Sequence, residues 1–327
     1  MKIGILGASG VVGRQMLECL EERKIIPEEL RLFGYSSVGQ KISFNNKEYI
    51  VEKPDFTGLD VVFGAVGATE AKSYIEDIRK AGALFIDNSS AFRYEDDVPL
   101  VIPEINGEDV YKHHGIIANP NCSTIIALMA IKAINELSPI KSMIASTYQA
   151  VSGAGIKGFK ELDLETREYA RDEEIINHGG FEHQIVFNVL AKIGNYTDDE
   201  YTKEEMKMEL EGRKIMHLPE LNVTCTCVRV PVLRSHSISI SLNTKDHLEL
   251  AAVKEALKHS EGVRYLELPD YPMPLETSGQ DIVHVGRVRK DRVFENGIAL
   301  FCCGDQVRKG AASNAVQILE YYLKHQK

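Results

Sequence analysis

The sequence predicts an α/β protein in two parts: a doubly wound parallel-sheet nucleotide-binding domain, then an α+β domain with a mostly antiparallel sheet. Three observations carry this. Short buried-strand runs alternate with helical periodicity through the front of the chain. A glycine-spaced turn, Gly7-x-x-Gly10-x-x-Gly13, joins the first strand to the first helix. Beyond about Ile140 the pattern changes to long strand-like runs with few helices between them. At 327 residues and 44% hydrophobic the chain can bury a large core, and roughly 150 residues per domain gives two domains.

In order, "KIGIL" reads as a buried strand and "SGVVGRQMLECLEERK" as a helix. "LRLFGY", "DVVFGAV" and "ALFIDNS" read as strands, with the helix "TEAKSYIEDIRKAG" between the last two. Residues 115–118 form a further strand, followed by "NPNCST" and a long apolar-periodic helix. In the second part "IKSMIASTYQAVSG", "VTCTCVRVPVLRSHSISISLN", "IVHVGRVRKDRV" and "GIALFCCGDQ" are the long strands, as in a sheet with one wet face. The charge-rich stretch 156–214 gives helices and loops, and "KGAASNAVQILEYYLKHQK" is an amphipathic helix. The domain boundary falls after Asn121: residues 1–121 bind the dinucleotide with the C-terminal helix, 307–327, packed back onto them, and 122–306 form the second domain.

A net charge of -10 argues against nucleic acid as a partner, since phosphate contacts need clustered Lys and Arg. No apolar run nears the ~20 residues of a membrane span, and the N-terminus reads as a strand, so a cytoplasmic protein without membrane contact is expected. The six cysteines form no C-x-x-C pair and no zinc-ligand spacing, so neither a disulfide framework nor a metal is expected.

In "GILGASGVVGR" the glycines permit a tight turn and a close backbone approach to a pyrophosphate at the helix N-terminus. The loop after the second strand offers Tyr35, Ser36, Ser37 and Lys41 but no acid, where an NAD site has an Asp or Glu; that favours the 2'-phosphate of NADP. Cys122 stands at or just before the first turn of a helix, where backbone N–H groups and the macrodipole lower a thiol pKa. A structural cysteine belongs on an apolar face, as Cys19 does. His236, flanked by Arg229 and Arg234, reads as the candidate base or as a solvated histidine on an exposed strand face. Cys225 and Cys227 point to one face of a strand and read as core packing.

"GASGVVG", "SSAFR", "ANPNCST", "TYQAVSG", "EEMKM", "RVPVLRSHS" and "KGAASNAVQI" occur in this order across essentially the whole chain. Together they resemble aspartate-semialdehyde dehydrogenase of the bacterial type. The resemblance implies reversible conversion of aspartate 4-semialdehyde, phosphate and NADP into aspartyl 4-phosphate and NADPH, on the route to lysine, methionine and threonine. It makes 122–306 a catalytic and dimerisation domain, and the protein a homodimer or a dimer of dimers. Cys122 then matches the nucleophile, His236 the general base and Gln149 the substrate-orienting amide. Arg229 matches the arginine for the aspartyl carboxylate, Glu204 the amine contact and Lys207 a phosphate contact, with Glu205 the alternative register. Arg93 and Asn121 match the other phosphate contacts. The cofactor set is Gly7, Ala8, Ser9, Gly10, Val11, Val12, Gly13, Ser36, Ser37 and Gln306. Two departures stand out: Ser36 replaces a frequent arginine, which leaves NAD use open, and the stretch from Gln149 to Arg229 is shorter than in longer members. N-acetyl-glutamyl-phosphate reductase and glyceraldehyde-3-phosphate dehydrogenase share the Cys–His logic, and a catalytically silent NADPH-binding regulator is the alternative outside enzymes. An N-acetylated amine needs no Glu204, which separates the first of these.

Overall fold

The computed structural model describes residues 1–324 and divides into two compact units: residues 1–121 with the stretch from Gly310 on, and Cys122–Lys309. The first unit holds β1 (Lys2–Leu6), α1 (Val11–Glu22), β2 (Glu29–Phe33), β3 (Lys41–Phe44), β4 (Lys47–Glu52), β5 (Val61–Gly64), α2 (Ala68–Ala81), β6 (Leu84–Asp87), the short α3 (Pro103–Asn106) and β7 (Ile116–Ala118). Its seven strands run in the order β3-β4-β2-β1-β5-β6-β7, all neighbours parallel except the β3–β4 pair. The order reverses at β1/β5, so the Gly7 turn leaves β1 at a topological switch point, where such sheets bind ligands. The β3–β4 hairpin was not expected from the sequence. It turns on Asn45 and Asn46, both at positive φ (47° and 59°), as a primed two-residue turn requires.

Helix α1 buries Gly13, Met16, Leu17 and Leu20, a spacing that lays one stripe on the sheet. The last helix, named below, contributes Ala315, Val316 and Leu319 to the same core, together with Ile3, Ile5, Phe63 and Ile86 of the strands.

The second unit begins with α4 (Cys122–Leu137) and β8 (Ile140–Gln149), followed by α5 (Gly155–Ala170), α6 (Lys203–Ile215), β9 (Asn222–Arg229), β10 (His236–Thr244), α7 (Leu250–Lys258), β11 (Val263–Leu266), α8 (Pro274–Thr277), β12 (Val283–Lys290) and β13 (Gly297–Gly304). A π turn, Arg308–Ala312, leads to α9 (Ser313–Lys324); residues 325–327 of the expected terminal helix lie outside the described residues. The stretch 244–281, where no element was expected, holds α7, β11 and α8.

The six-stranded sheet has the order β11-β12-β13-β10-β8-β9 and is mostly antiparallel, with β8–β9 and β11–β12 parallel. The expected single strand over 223–243 is two, because the chain turns between Arg229 and His236, with Ser235 at φ 73°. The apolar Val230, Val232 and Leu233 hide this break in the pattern, but Pro231 sits within it. The consequence sets the site. Strand β9 lies parallel to β8 on one side with Gln149 opposite Arg229, and β10 lies antiparallel on the other with Tyr148 opposite Ser237. Gln149, Arg229 and His236 therefore reach the same end of the sheet. Helices α4, α6 and α7 pack on one face of this sheet. Among the described residues no helix is long and apolar enough to cross a membrane.

Candidate active site

Cys122 is the first residue of α4, half-buried, with no acidic side chain in the first turn to oppose a thiolate there. Arg229 is 6% exposed. Burial pushes its pKa down, while Cys122, Glu204 and Cys227 favour its charged form, so guanidinium and thiol lie within electrostatic reach. Its Nη1 donates to the Ala150 carbonyl at 2.6 Å. Gln149 Nε2 donates to Glu204 Oε1 at 3.4 Å, and Lys207 Nζ donates to Glu204 Oε2 at 2.6 Å. The Glu204–Lys207 pair is mostly buried rather than an ordinary surface salt bridge. Glu205 faces elsewhere: it closes a capping box with Thr202 at the start of α6 and accepts from the Cys227 N–H at 2.9 Å. The register that places a carboxylate beside Gln149 is thus that of Glu204.

His236 is fully buried, not solvated. Its Nδ1 accepts from the Ala150 N–H at 3.0 Å, while Nε2 has no hydrogen-bond partner among the described residues. Burial, then the Arg229 charge, push its pKa down to about 3, against smaller opposing effects of Glu204 and the Ser235 backbone. The ring and the Arg229 fork converge on Gly153, where a Cβ would stand 2.8 Å from Arg229 Nη1 and 3.2 Å from His236 Nε2. Gln306 lies behind this turn, accepting from the Ser235 N–H at 2.8 Å and donating to Ser152 Oγ. Both ends of its amide are thereby engaged within its own unit, which gives it a bracing position in addition to the cofactor contact implied for it.

In the first unit the glycine loop is built for close approach. Gly7 has φ 86°, and a Cβ on it would stand 2.4 Å from the Ala65 carbonyl oxygen; a Cβ on Gly13 would stand 2.4 Å from the Gly7 oxygen. Gly10, the N-cap of α1, has no side chain to cap the helix, so Val11, Val12 and Gly13 present first-turn N–H groups that no cap occupies. Ser9 Oγ donates to Ser37 Oγ at 2.8 Å, tying the loop to the segment after β2, where Ser36 is exposed and Lys41 pairs with Glu48 at 2.7 Å. A cradle that side chains would fill, beside a helix N-terminus and with Ala8 buried beneath it, fits a dinucleotide pyrophosphate. Arg93 is buried, with Nη2 donating to the Asn88 carbonyl at 2.8 Å, and Asn121 is buried next to Cys122 in the chain.

Family comparison decides what this arrangement belongs to. Residues 2–113 match "Semialdehyde dehydrogenase, NAD binding domain" and residues 131–309 match "Semialdehyde dehydrogenase, dimerisation domain". The chain is 45% identical over 99% of its length to aspartate-semialdehyde dehydrogenase of Aquifex aeolicus, covering 98% of it, and 40% identical over 98% to that of Bacillus subtilis, covering 96%. The chain belongs to the aspartate-semialdehyde dehydrogenase family. Aspartate semialdehyde dehydrogenase II of Vibrio cholerae, 38% identical, superposes with a TM-score of 0.97 over 100% of this chain and 99% of its own, and has also been solved complexed with ASA.

Within this family member the structure brings together Gln149, Glu204, Lys207, Arg229 and His236, with Arg229 within electrostatic reach of α4's first residue. Ala150 and Gly153 were missed by the sequence analysis. Gly153 lies inside "TYQAVSG", but nothing in the local pattern says that two side chains some eighty residues on will close on it. The other cysteines are packing residues. Cys225 and Cys227 lie 3.7 Å apart in the core, where their hydrogen bond, then burial, push the Cys225 thiol up, and burial pushes Cys303 up to about 12.

Proposed function

We propose that this chain catalyses the reversible conversion of L-aspartate 4-semialdehyde, phosphate and NADP into L-aspartyl 4-phosphate and NADPH, in the synthesis of lysine, methionine and threonine. The observation that carries the reading is the convergence of Gln149, Arg229 and His236 at one sheet end, with Cys122 opening α4 within electrostatic reach of Arg229.

In this reading Cys122 is the nucleophile. The α4 N-terminus and the Arg229 charge hold it as thiolate, and its sulfur adds to the aldehyde carbon to give a thiohemiacetal. A free aldehyde would leave an acylium ion on losing hydride, whereas the thiohemiacetal becomes a stable thioester on Cys122. Phosphate oxygen then attacks the thioester carbon, the C–S bond breaks, and the thiolate returns. NADP, held by the Gly7–Gly13 loop with Ser36 and Ser37, supplies the hydride acceptor when bound.

His236 is neutral at working pH. Because Nδ1 already accepts from Ala150, the neutral ring carries its proton on Nε2 and offers a donor to the thiohemiacetal oxygen. The base role implied by the resemblance needs a lone pair on Nε2, and hence transfer of the ring proton to Nδ1 with loss of the Ala150 bond. Thiolate formation therefore rests on α4 and Arg229. Arg229 takes the substrate carboxylate as a fork, Glu204 the amine, Gln149 orients the carbonyl, and Lys207, Arg93 and Asn121 take phosphate. The dimerisation-domain match supports a homodimer or dimer of dimers, and thiolate chemistry suits the reducing cytoplasm.

Absorbance of the reduced nicotinamide tests the reading. NADPH should accumulate with aspartate semialdehyde only when phosphate is present at steady state. Equal rates with N-acetyl-glutamate semialdehyde, whose amine is uncharged, would move the substrate assignment to the related acyl-phosphate reductase.

A further inference from the structure

The 176–186 segment has no regular secondary structure, yet Ile185 and Val186 are buried. An irregular chain taken from water needs acceptors for its N–H groups, and here side chains provide them. Helix α5 carries Glu161, Glu165 and Glu168, of which Glu161 and Glu165 lie on its buried face at 2% and 0% exposure. Glu161 accepts from the N–H of His178 at 2.6 Å and of Gly180 at 2.8 Å. Glu165 Oε2 accepts from Ile185 at 3.0 Å and Val186 at 2.7 Å. Glu168 accepts from Ile176 at 2.9 Å, and its other oxygen meets His178 Nε2 at 2.7 Å. Each carboxylate thus grips one section of the segment. Burial pushes Glu165 above the usual carboxylate range, the Val186 and Ile185 N–H groups pull against this, and Glu161 adds to the rise.

Glycines admit the close fit. A Cβ on Gly180 would stand 2.7 Å from Glu161 Cβ, and one on Gly158 would stand 2.9 Å from Phe181 Cζ. What the segment delivers lies at its far side. The Phe181 ring centre is 5.8 Å from the Arg229 guanidinium carbon, and Leu190 exchanges both backbone hydrogen bonds with Arg229 at 2.9 and 2.8 Å. Arg229 also lines a cleft of about 650 Å³ whose remaining wall is mostly this segment and its continuation, including Phe181, Asn188, Lys192 and Tyr196.

We propose that Glu161, Glu165 and Glu168 are positioning residues for Arg229: by docking residues 176–186 onto α5 they fix Phe181 and Leu190 against the arginine and so set its grip on the substrate carboxylate. This rests on the carboxylate-binding reading of Arg229. The three glutamates touch no substrate, and their effect runs through the segment alone. Glu165 Oε1 and Oε2 stand 3.2 and 3.0 Å from the Ile185 nitrogen, so an amide in its place sets an NH2 donor against that N–H and loses the negative charge that both N–H groups meet. The carboxylates should therefore matter for substrate affinity rather than for turnover.

The test compares Glu165→Gln, Phe181→Leu and Arg229→Leu in the full chain. Glu165→Gln should raise KM for aspartate semialdehyde roughly tenfold, with kcat and the KM for phosphate and NADP changed less than about twofold. Phe181→Leu leaves the carboxylate contacts whole and tests the same path if Glu165→Gln fails to fold; it should show the same selective rise with thermal unfolding unchanged. If Arg229→Leu raises this KM but neither other folded variant does, the positioning role is overturned while the arginine's role stands. Should Arg229→Leu leave it unchanged, the reading beneath falls, and the positioning role with it. A loss of kcat, or equal increases in all three KM values, would show a merely structural role and also overturn the proposal.

Discussion

The backbone N–H of Ala150 donates to Nδ1 of His236 at 3.0 Å, and the carbonyl of the same residue accepts from Arg229 Nη1 at 2.6 Å. One peptide position after β8 thus orients two of the cationic-capable side chains of the site. It selects the tautomer of one and the direction of the other, before any substrate arrives.

A pH effect on stability follows from the buried ring. The folded-state pKa of His236 is pushed down to about 3, below the ordinary 6.5. As pH falls through the ordinary value the unfolded chain takes up a proton that the folded chain refuses, so stability drops between these limits, by up to about 1.4 kcal/mol per pH unit. Urea unfolding of wild type and His236→Gln at roughly pH 7, 6 and 5 measures it. The variant should lose stability less steeply, and parallel slopes would show that the folded ring titrates normally.

Gly153→Ala places a methyl 2.8 Å from Arg229 Nη1 and 3.2 Å from His236 Nε2. Both groups must shift, and misplacement on this scale costs up to about a hundredfold in rate. We expect kcat/KM for aspartate semialdehyde to fall at least tenfold while NADPH binding, measured by fluorescence titration, is kept. Unchanged kinetics would mean the convergence has no part in the chemistry.

Arg229 and Arg93 should fail differently. Removal of a bidentate charge-assisted contact costs on the order of 2–4 kcal/mol. Arg229→Leu should chiefly damage kcat/KM for aspartate semialdehyde, and Arg93→Leu chiefly raise KM for phosphate, with lysine at either position rescuing only in part. Equal losses for both substrates in both variants would show a shared electrostatic role.

Much of this was legible in the chain because the signals are local. The glycine spacing, the helix opening at Cys122 and the "RSHS" stretch each carry their meaning within a dozen residues. The β3–β4 hairpin was not legible, because its short strands are mostly polar and the Asn45–Asn46 turn lacks the glycine that usually marks one. The break between β9 and β10 was hidden by apolar residues that continue the strand pattern. In the sequence Glu161 and Glu165 are two of many charges in the 156–214 stretch, and only the tertiary structure supplies the buried N–H groups that they serve. Residues brought together across sheet strands, such as Gly153 with Arg229 and His236, leave no spacing in the sequence to find.

Assembly gives a further expectation. Helices cover one face of the six-stranded sheet, while on β8 Ile144 and Tyr148 are exposed, with Tyr148 tilted against Phe301 at 6.3 Å between ring centres. These apolar side chains stand among Ser146, Ser237, Ser239, Ser241, Thr224 and Thr226 of the same face, and the dimerisation-domain match makes a second copy the expected partner there. Light scattering should give twice the 36.5 kDa chain mass or a multiple of it, and Tyr148→Lys should shift it toward the monomer. A wild-type monomer at working concentration would refute this.

The most direct test of covalent catalysis by Cys122 omits phosphate. Enzyme mixed with NADP and aspartate semialdehyde alone should give a rapid burst of NADPH, no more than one equivalent per site, with the aspartyl acyl group found by mass spectrometry on the peptide that contains Cys122. Phosphate added afterwards should release it and restart turnover, and Cys122→Ser should show no burst. Steady NADPH formation without a burst or an acylated cysteine, or a full burst in Cys122→Ser, would contradict the account.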